Sequence, residues 1–233
     1  KFHGAMHEAD IWLNGEKIRN HKGGYLPFVV NISEYLNFDT ENVLLVRLNN
    51  ENNPTIPPGK PIETLDFNWF SGLYRNVDLL IDEKIHITNP IAVDRVSAGG
   101  VLVNYTEVSD ESATVNIQTD IENFDVTDRN VSVKTVLMDS SGHVISELIS
   151  EPQAVEPGSY HLIDQQIEVN QPKLWSPNSP YLYTLTIELL EDGEAIDFWQ
   201  KRIGIRTISF GDDHQFVLNG EPLQLLGTNR HRS

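Results

Sequence analysis

The sequence predicts an all-β protein, and three observations carry that prediction. Apolar residues recur with period two in short runs, turn-forming clusters separate the runs, and no segment sustains a 3.6-residue apolar stripe for three turns. Taken in order, Ile11-Trp12-Leu13 leads into Asn14-Gly15, a dipeptide that favours the positive φ angles of a type I′ hairpin. Leu44, Val46 and Leu48 alternate with Leu45 and Arg47, and the turn cluster Asn52-Asn53-Pro54 follows. Residues 77–87 read as strongly β, with Ile85 and Ile87 placing His86 on the solvent side. Val115 and Ile117 alternate with Asn116 and Gln118, as Val131 and Val133 do with Ser132 and Lys134. Tyr183, Leu185, Ile187 and Leu189 form the clearest half-buried strand. Ser140-Ser141-Gly142, Glu156-Pro157-Gly158 and Asp192-Gly193 supply turns between these runs. Phe216-Val217-Leu218 then meets Asn219-Gly220, repeating the Leu-Asn-Gly-Glu string of the first hairpin. Nothing else around the two copies matches, so convergent turn chemistry is expected rather than an internal repeat.

Composition bounds the function. With 233 residues and 39% hydrophobic side chains, the chain can bury a sizeable core. Its 34 acidic residues against 17 Lys and Arg give a net charge of -17. Such a surface repels phosphate backbones and anionic lipid, so neither nucleic acid nor a membrane is expected as a partner. It also disfavours acidic substrates weakly, a bias that a local basic pocket would override. No apolar run reaches the roughly 18 residues of a membrane-crossing helix. The absence of cysteine excludes disulfides, thiolate metal sites and cysteine nucleophiles, and leaves the compartment open.

Two seams divide the chain into residues 1–88, 89–206 and 207–233. One lies around Thr88-Asn89-Pro90 and the other around residues 206–210. Residues 91–205 hold about seven strand runs, the number of an immunoglobulin-type sandwich, without a Cys-Trp-Cys core. Residues 1–88 hold about six, short of the roughly eight strands of a jelly roll. Missing N-terminal strands are therefore expected, in keeping with a start at Lys1-Phe2-His3 that has neither an initiator Met nor a signal-peptide core. At the other end, the apolar hairpin of residues 216–226 and the polar run 227–233 are expected to open a further domain.

Few residues form a chemical constellation. Among the eight histidines only His3 and His7 approach metal-ligand spacing, beside a presumed strand rather than on a helix, so no metal site is expected. There is no phosphate-binding glycine loop, nucleophile elbow or His-Glu-x-x-His. Acids such as Asp110-Glu111 and Asp212-Asp213 read as solvated surface. The triplets at Asn31, Asn104 and Asn130 arise readily by chance, and no glycan is assigned to them. Trp12 and Trp199 lie in strand runs and read as core. Residues 66–75 differ, being loop-like, aromatic and charged together; such a segment either packs a domain seam or meets a ligand.

These motifs carry a family resemblance. Ile11-Trp12-Leu13-Asn14-Gly15, His21-Lys22-Gly23-Gly24-Tyr25-Leu26-Pro27-Phe28 and Ser71-Gly72-Leu73-Tyr74-Arg75-Asn76-Val77 resemble the sugar-binding domain of glycoside hydrolase family 2. Leu174-Trp175-Ser176-Pro177-Asn178-Ser179-Pro180-Tyr181-Leu182-Tyr183 and Arg202-Ile203-Gly204-Ile205-Arg206 resemble its immunoglobulin-like domain. Phe216-Val217-Leu218-Asn219-Gly220-Glu221-Pro222-Leu223 and Gly227-Thr228-Asn229-Arg230-His231 resemble the opening of its TIM barrel. The resemblance covers nearly the whole chain, with these seven stretches in the family's order.

It implies a truncated jelly-roll (galactose-binding-like) domain, an immunoglobulin-like β-sandwich and the first hairpin of a TIM barrel. It also implies retaining, exo-acting hydrolysis of β-linked sugars, most often as a β-galactosidase, with a terminal β-galactoside as the substrate. The alternatives are a β-glucuronidase or β-mannosidase of the same family, or a non-catalytic carbohydrate-binding β-sandwich protein. Asn229-Arg230-His231 is similar to the β-galactosidase form of the barrel opening, which places His231 at the sugar pocket. Asn229 would bind a hydroxyl, and Arg230 would either do so or form an ion pair in the barrel mouth. The resemblance brings the Asp66 side chain to the sugar; its other reading is a turn-capping carboxylate. Both catalytic glutamates of the family lie farther along the barrel, so the chain has no catalytic residue of its own and is expected to be inactive. No cofactor is implied, and any homo-oligomer would form through the complete enzyme.

Overall fold

The computed structural model describes residues 1–65, 67–93 and 95–229. Among these the fold is all-β, with single 3-10 turns at Ser33–Tyr35 and Ile62–Thr64. It divides into two compact units, built on Lys1–Ile81 and Asp82–Gly227.

The first unit carries β1 (Ala5–Met6), β2 (Glu8–Leu13), β3 (Glu16–Lys22), β4 (Leu44–Asn49) and β5 (Gly72–Leu73). β2 is the centre of an antiparallel sheet ordered β3-β2-β4, and β5 pairs with β1. Period two sends Ala9, Ile11 and Leu13 to one face of β2, where all three are buried. Ala9 and Ile11 join Phe2, Ala5 and Phe28 in the core, with Ile18, Val30, Val46 and Leu48 packed against it.

The same period puts Asp10 and Trp12 on the opposite face. Trp12, read from the sequence as core, is half-buried there, with Lys17 Nζ 5.5 Å and Arg47 Cζ 5.8 Å from its ring centroid. Asp10 is 4% exposed because its neighbours close over it. Lys17 Nζ lies 2.6 Å away, Asn20 donates at 2.8 Å and Arg47 at 2.5 Å. These donors hold its carboxyl down at about 2.

The second unit contains β6 (Ile85–Ile87), β7 (Val101–Thr106), β8 (Ser112–Asn123), β9 (Arg129–Met138), β10 (Val144–Ile149) and β11 (Gln153–Val155). It continues with β12 (Tyr160–Asn170), β13 (Tyr183–Glu191), β14 (Glu194–Ile203), β15 (Ile208–Phe210), β16 (Phe216–Leu218) and β17 (Glu221–Pro222). One sheet runs β12-β8, with β6 and β7 sharing the far side of β8; the other runs β10-β9-β13-β14, with β11 beside β10 along β9. Val115, Ile117 and Ile121 from the first sheet meet Val133, Leu137, Leu185, Ile187 and Leu189 from the second in one core. Within the apolar run 77–87 only Ile85–Ile87 forms a strand, and it pairs with β8. β15, β16 and β17 make a small separate sheet.

Both Asn-Gly hairpins adopt positive φ, 51° and 89° at Asn14-Gly15 and 52° and 83° at Asn219-Gly220, as type I′ turns require. The likeness extends further than the four-residue string. Asn14 N–H donates to the Val43 carbonyl and its Oδ1 accepts from Val43 N–H; Asn219 repeats both bonds with Thr207. In each case a third strand thus begins against the turn asparagine.

The sandwich core has a polar cross-link. Thr135 Oγ1 on β9 donates to Gln165 Oε1 on β12 at 2.5 Å, and Gln165 Nε2 donates to the Val133 carbonyl at 3.1 Å. Replacing Gln165 by Leu strands the buried Thr135 hydroxyl and should lower urea-unfolding stability by about 1–3 kcal/mol. Adding Thr135→Val should recover most of that loss, because both polar partners are then gone.

Candidate functional site

The aromatic segment that follows Asp66 is bedded on the strand Ala5-Met6 and on His7. β5 pairs with β1, matching Ala5 to Leu73 and Met6 to Gly72. At the other end of the segment the Trp69 and His7 rings meet edge-on, with centroids 5.2 Å apart and planes at 65°. Trp69 Nε1 also donates to the Asn50 carbonyl at 3.3 Å. His7 is fixed through its backbone, donating to Asn49 O at 3.1 Å and accepting from Gly23 N at 2.9 Å.

Downstream, Phe70 and Tyr74 stack in parallel with centroids 4.9 Å apart, and Arg75 lies 5.1 Å from the Tyr74 ring. The Tyr74 hydroxyl donates to Gly24 O at 2.6 Å, and Arg75 Nη1 donates to Tyr25 O at 3.3 Å. The Gly23-Gly24-Tyr25 turn is itself held by His21, whose Nε2 lies 2.9 Å from Gly23 O. The His21 ring stacks on Phe28 at 3.9 Å, and Phe28 stacks on Phe2 at 4.7 Å. Phe67 and Phe70 present exposed rings beside this anchored frame.

Among the described residues, two polar atoms here are buried without a hydrogen-bond partner, His7 Nδ1 and the Tyr25 hydroxyl. Burial lowers the pKa of His7 against the opposing pull of Glu8, and burial also lowers that of His21. It raises the Tyr25 phenol. The sequence did not single out Tyr25, and it weighed His7 only as a metal ligand beside His3. His3 Nε2 instead lies 2.6 Å from Asp78 Oδ2, and among the described residues no group of three His, Cys, Asp or Glu side chains could hold a metal ion. A lone histidine set among the small and apolar residues Ala5, Met6 and Ala9 was the available signal for His7.

Of the sugar-site residues expected from the sequence, Asp66, Arg230 and His231 lie outside the described residues. Asn229 is exposed, and its carbonyl accepts from Thr228 Oγ1 at 3.4 Å.

Residues 1–83 match the sugar binding domain of glycosyl hydrolases family 2, and residues 101–206 match a second domain of glycosyl hydrolases family 2. The chain belongs to this family. A family relative from Thermoanaerobacter pseudethanolicus named beta-galactosidase is 33% identical over 233 residues, covering 100% of this chain and 29% of the relative. A beta-glucuronidase from Formosa agariphila is 27% identical over 230 residues, covering 97% of this chain and 23% of its own length. The solved structure of Bacteroides uniformis beta-glucuronidase 2, covalently bound to cyclophellitol-6-carboxylate aziridine, superposes with a TM-score of 0.85 at 27% identity. That match covers 99% of this chain and 27% of the other. The chain therefore spans less than a third of the length of these family relatives.

Two outcomes follow from the frame. A Cβ on Gly24 would lie 2.3 Å from Met6 Sδ and 3.1 Å from His7 Cβ, so Gly24→Ala should cost about 1–3 kcal/mol in thermal unfolding. Burial lowers His7 and His21 in the folded chain, whereas the unfolded chain protonates them at the ordinary 6.5. Stability should therefore be complete above that pH and decline as pH falls from 7 to 5. Asp10, held at about 2, adds its own loss only at pH values under 3.8. A melting temperature that is flat between pH 7 and 5 would contradict the lowering of these two histidines by burial.

Proposed function

We propose that this chain is the two-sandwich part of a retaining exo-β-glycosidase that releases terminal β-D-galactose. The observation that carries the reading is the pair of family matches in order, joined to full-chain similarity with a named beta-galactosidase at 33% identity. The net charge of -17 on this chain weakly disfavours an anionic substrate such as a glucuronate, a bias that a local basic pocket would override. On this reading residues 1–88 form the sugar-binding domain, 89–206 the immunoglobulin-like domain and 207–233 the start of the barrel. His231, Asn229, Arg230 and Asp66 would then line the sugar pocket.

The chemistry needs two carboxyl groups about 5 Å apart. One protonates the glycosidic oxygen while the other attacks the anomeric carbon, and water then hydrolyses the glycosyl-enzyme. A barrel supplies such groups from the C-terminal ends of several strands, which residues 207–233 alone would not provide. The role left to this chain is to shape the rim of the pocket and to support the barrel.

The second reading, a β-glucuronidase, is favoured by the glucuronidases among the relatives and solved structures. The deciding measurement is the rate of the complete reading frame on aryl β-galactoside, β-glucuronide and β-mannoside, beside the 233-residue chain alone. Release from the galactoside by the complete protein only is the expected result. Preference for the glucuronide or mannoside would refute the substrate and keep the family. No release from any of the three would favour the carbohydrate-binding reading, and turnover by the isolated chain would refute its inactivity.

A further inference from the structure

We propose that His7 is a positioning residue for the segment that begins at Asp66, an inference that rests on the reading in which Asp66 contacts the sugar. Trp69, three residues after Asp66, is located by two directional contacts. Its ring meets the His7 ring edge-on at 5.2 Å, and its Nε1 donates to Asn50 O. The two anchors are tied to each other, because the His7 amide donates to the carbonyl of Asn49, the neighbour of Asn50. The indole is thus fixed both in orientation and in depth, and β5 on β1 closes the other end of the segment.

Packing alone does not account for a histidine at this place. The residue is only 2% exposed, its Nδ1 has no hydrogen-bond partner among the described residues, and burial lowers its pKa. A buried polar atom left unpaired costs about 1–3 kcal/mol, a penalty that a phenylalanine filling the same space would avoid. What the imidazole adds is a ring smaller than phenyl, which lets the indole meet it edge-on while Nε1 still reaches Asn50 O. A costly residue placed beneath a loop that would carry a substrate contact is the pattern of a site residue rather than of a core filler.

A double-mutant cycle in the complete enzyme, read as kcat/KM on its preferred aryl glycoside, tests the assignment. The forms compared are wild type, His7→Phe, Asp66→Ala and the pair. If His7 acts through the segment, His7→Phe lowers kcat/KM about ten- to hundredfold, and the double variant is no worse than Asp66→Ala alone. If its role were general packing, the two losses would multiply, and the inference would fall while the sugar role of Asp66 stood. An Asp66→Ala enzyme with unchanged kcat/KM would remove that sugar role and overturn the inference with it. Should His7→Phe not fold, Trp69→Phe takes its place in the cycle, removing the bond to Asn50 O while keeping an aromatic ring on His7, with the same two outcomes.

Discussion

Because no α-helix occurs among the described residues, each apolar sheet face can be hidden only by another sheet or by a loop. The second unit meets this constraint with two sheets of matching plan. Each is built on a long strand, β8 or β9, that has one long partner on one side and two short strands end to end on the other. At one end, Arg129 makes paired bonds to Glu191 across β9 and β13 and a third to Asp125. That geometry raises the arginine and lowers the glutamate pKa through direct hydrogen bonding.

The two Asn-Gly turns show how one residue type can serve several needs together. Asparagine tolerates the left-handed region better than other side chains, which suits the first turn position. Its amide also offers both a donor and an acceptor. Oδ1 receives the first amide of the third strand, and Nδ2 reaches a further oxygen, Tyr35 O and Asn42 Oδ1 from Asn14 and Trp175 O from Asn219. A short string recurring at two turns with the same third-strand contact is therefore explained by local chemistry, with no need for a duplicated segment.

Period two was legible because it is a property of consecutive residues. It located the strands around Ile117, Val133 and Ile187 by their alternation alone, and it set His86 apart from Ile85 and Ile87. Partners were less legible. The apolar run 77–87 does not announce that only its last residues join β8, and Trp12 reads as core until its register places it beside Asp10. The frame around His7 was hidden for the same reason, since its contacts come from residues 23, 49 and 69. Asp66, Asn229, Arg230 and His231 are proposed as site residues through family motifs alone, because composition and spacing give them no distinguishing mark.

The glycines of the His21–Phe28 stretch serve two different physical needs. Gly23 has a φ of 122°, a region that side-chain-bearing residues rarely enter. Gly24 needs no such freedom; it is small because Met6 and His7 press against its backbone, and its carbonyl receives the Tyr74 hydroxyl. Gly4 plays a comparable part under Tyr74, where a Cβ would lie 2.9 Å from the ring. The aromatic segment pairs through two residues of β5, and side chains add the rest: Tyr74 against Gly4 and Gly24, Trp69 against His7 and Asn50 O. Seating Tyr74 on glycine backbone in turn holds the Phe70 ring stacked against it, without a long strand beneath.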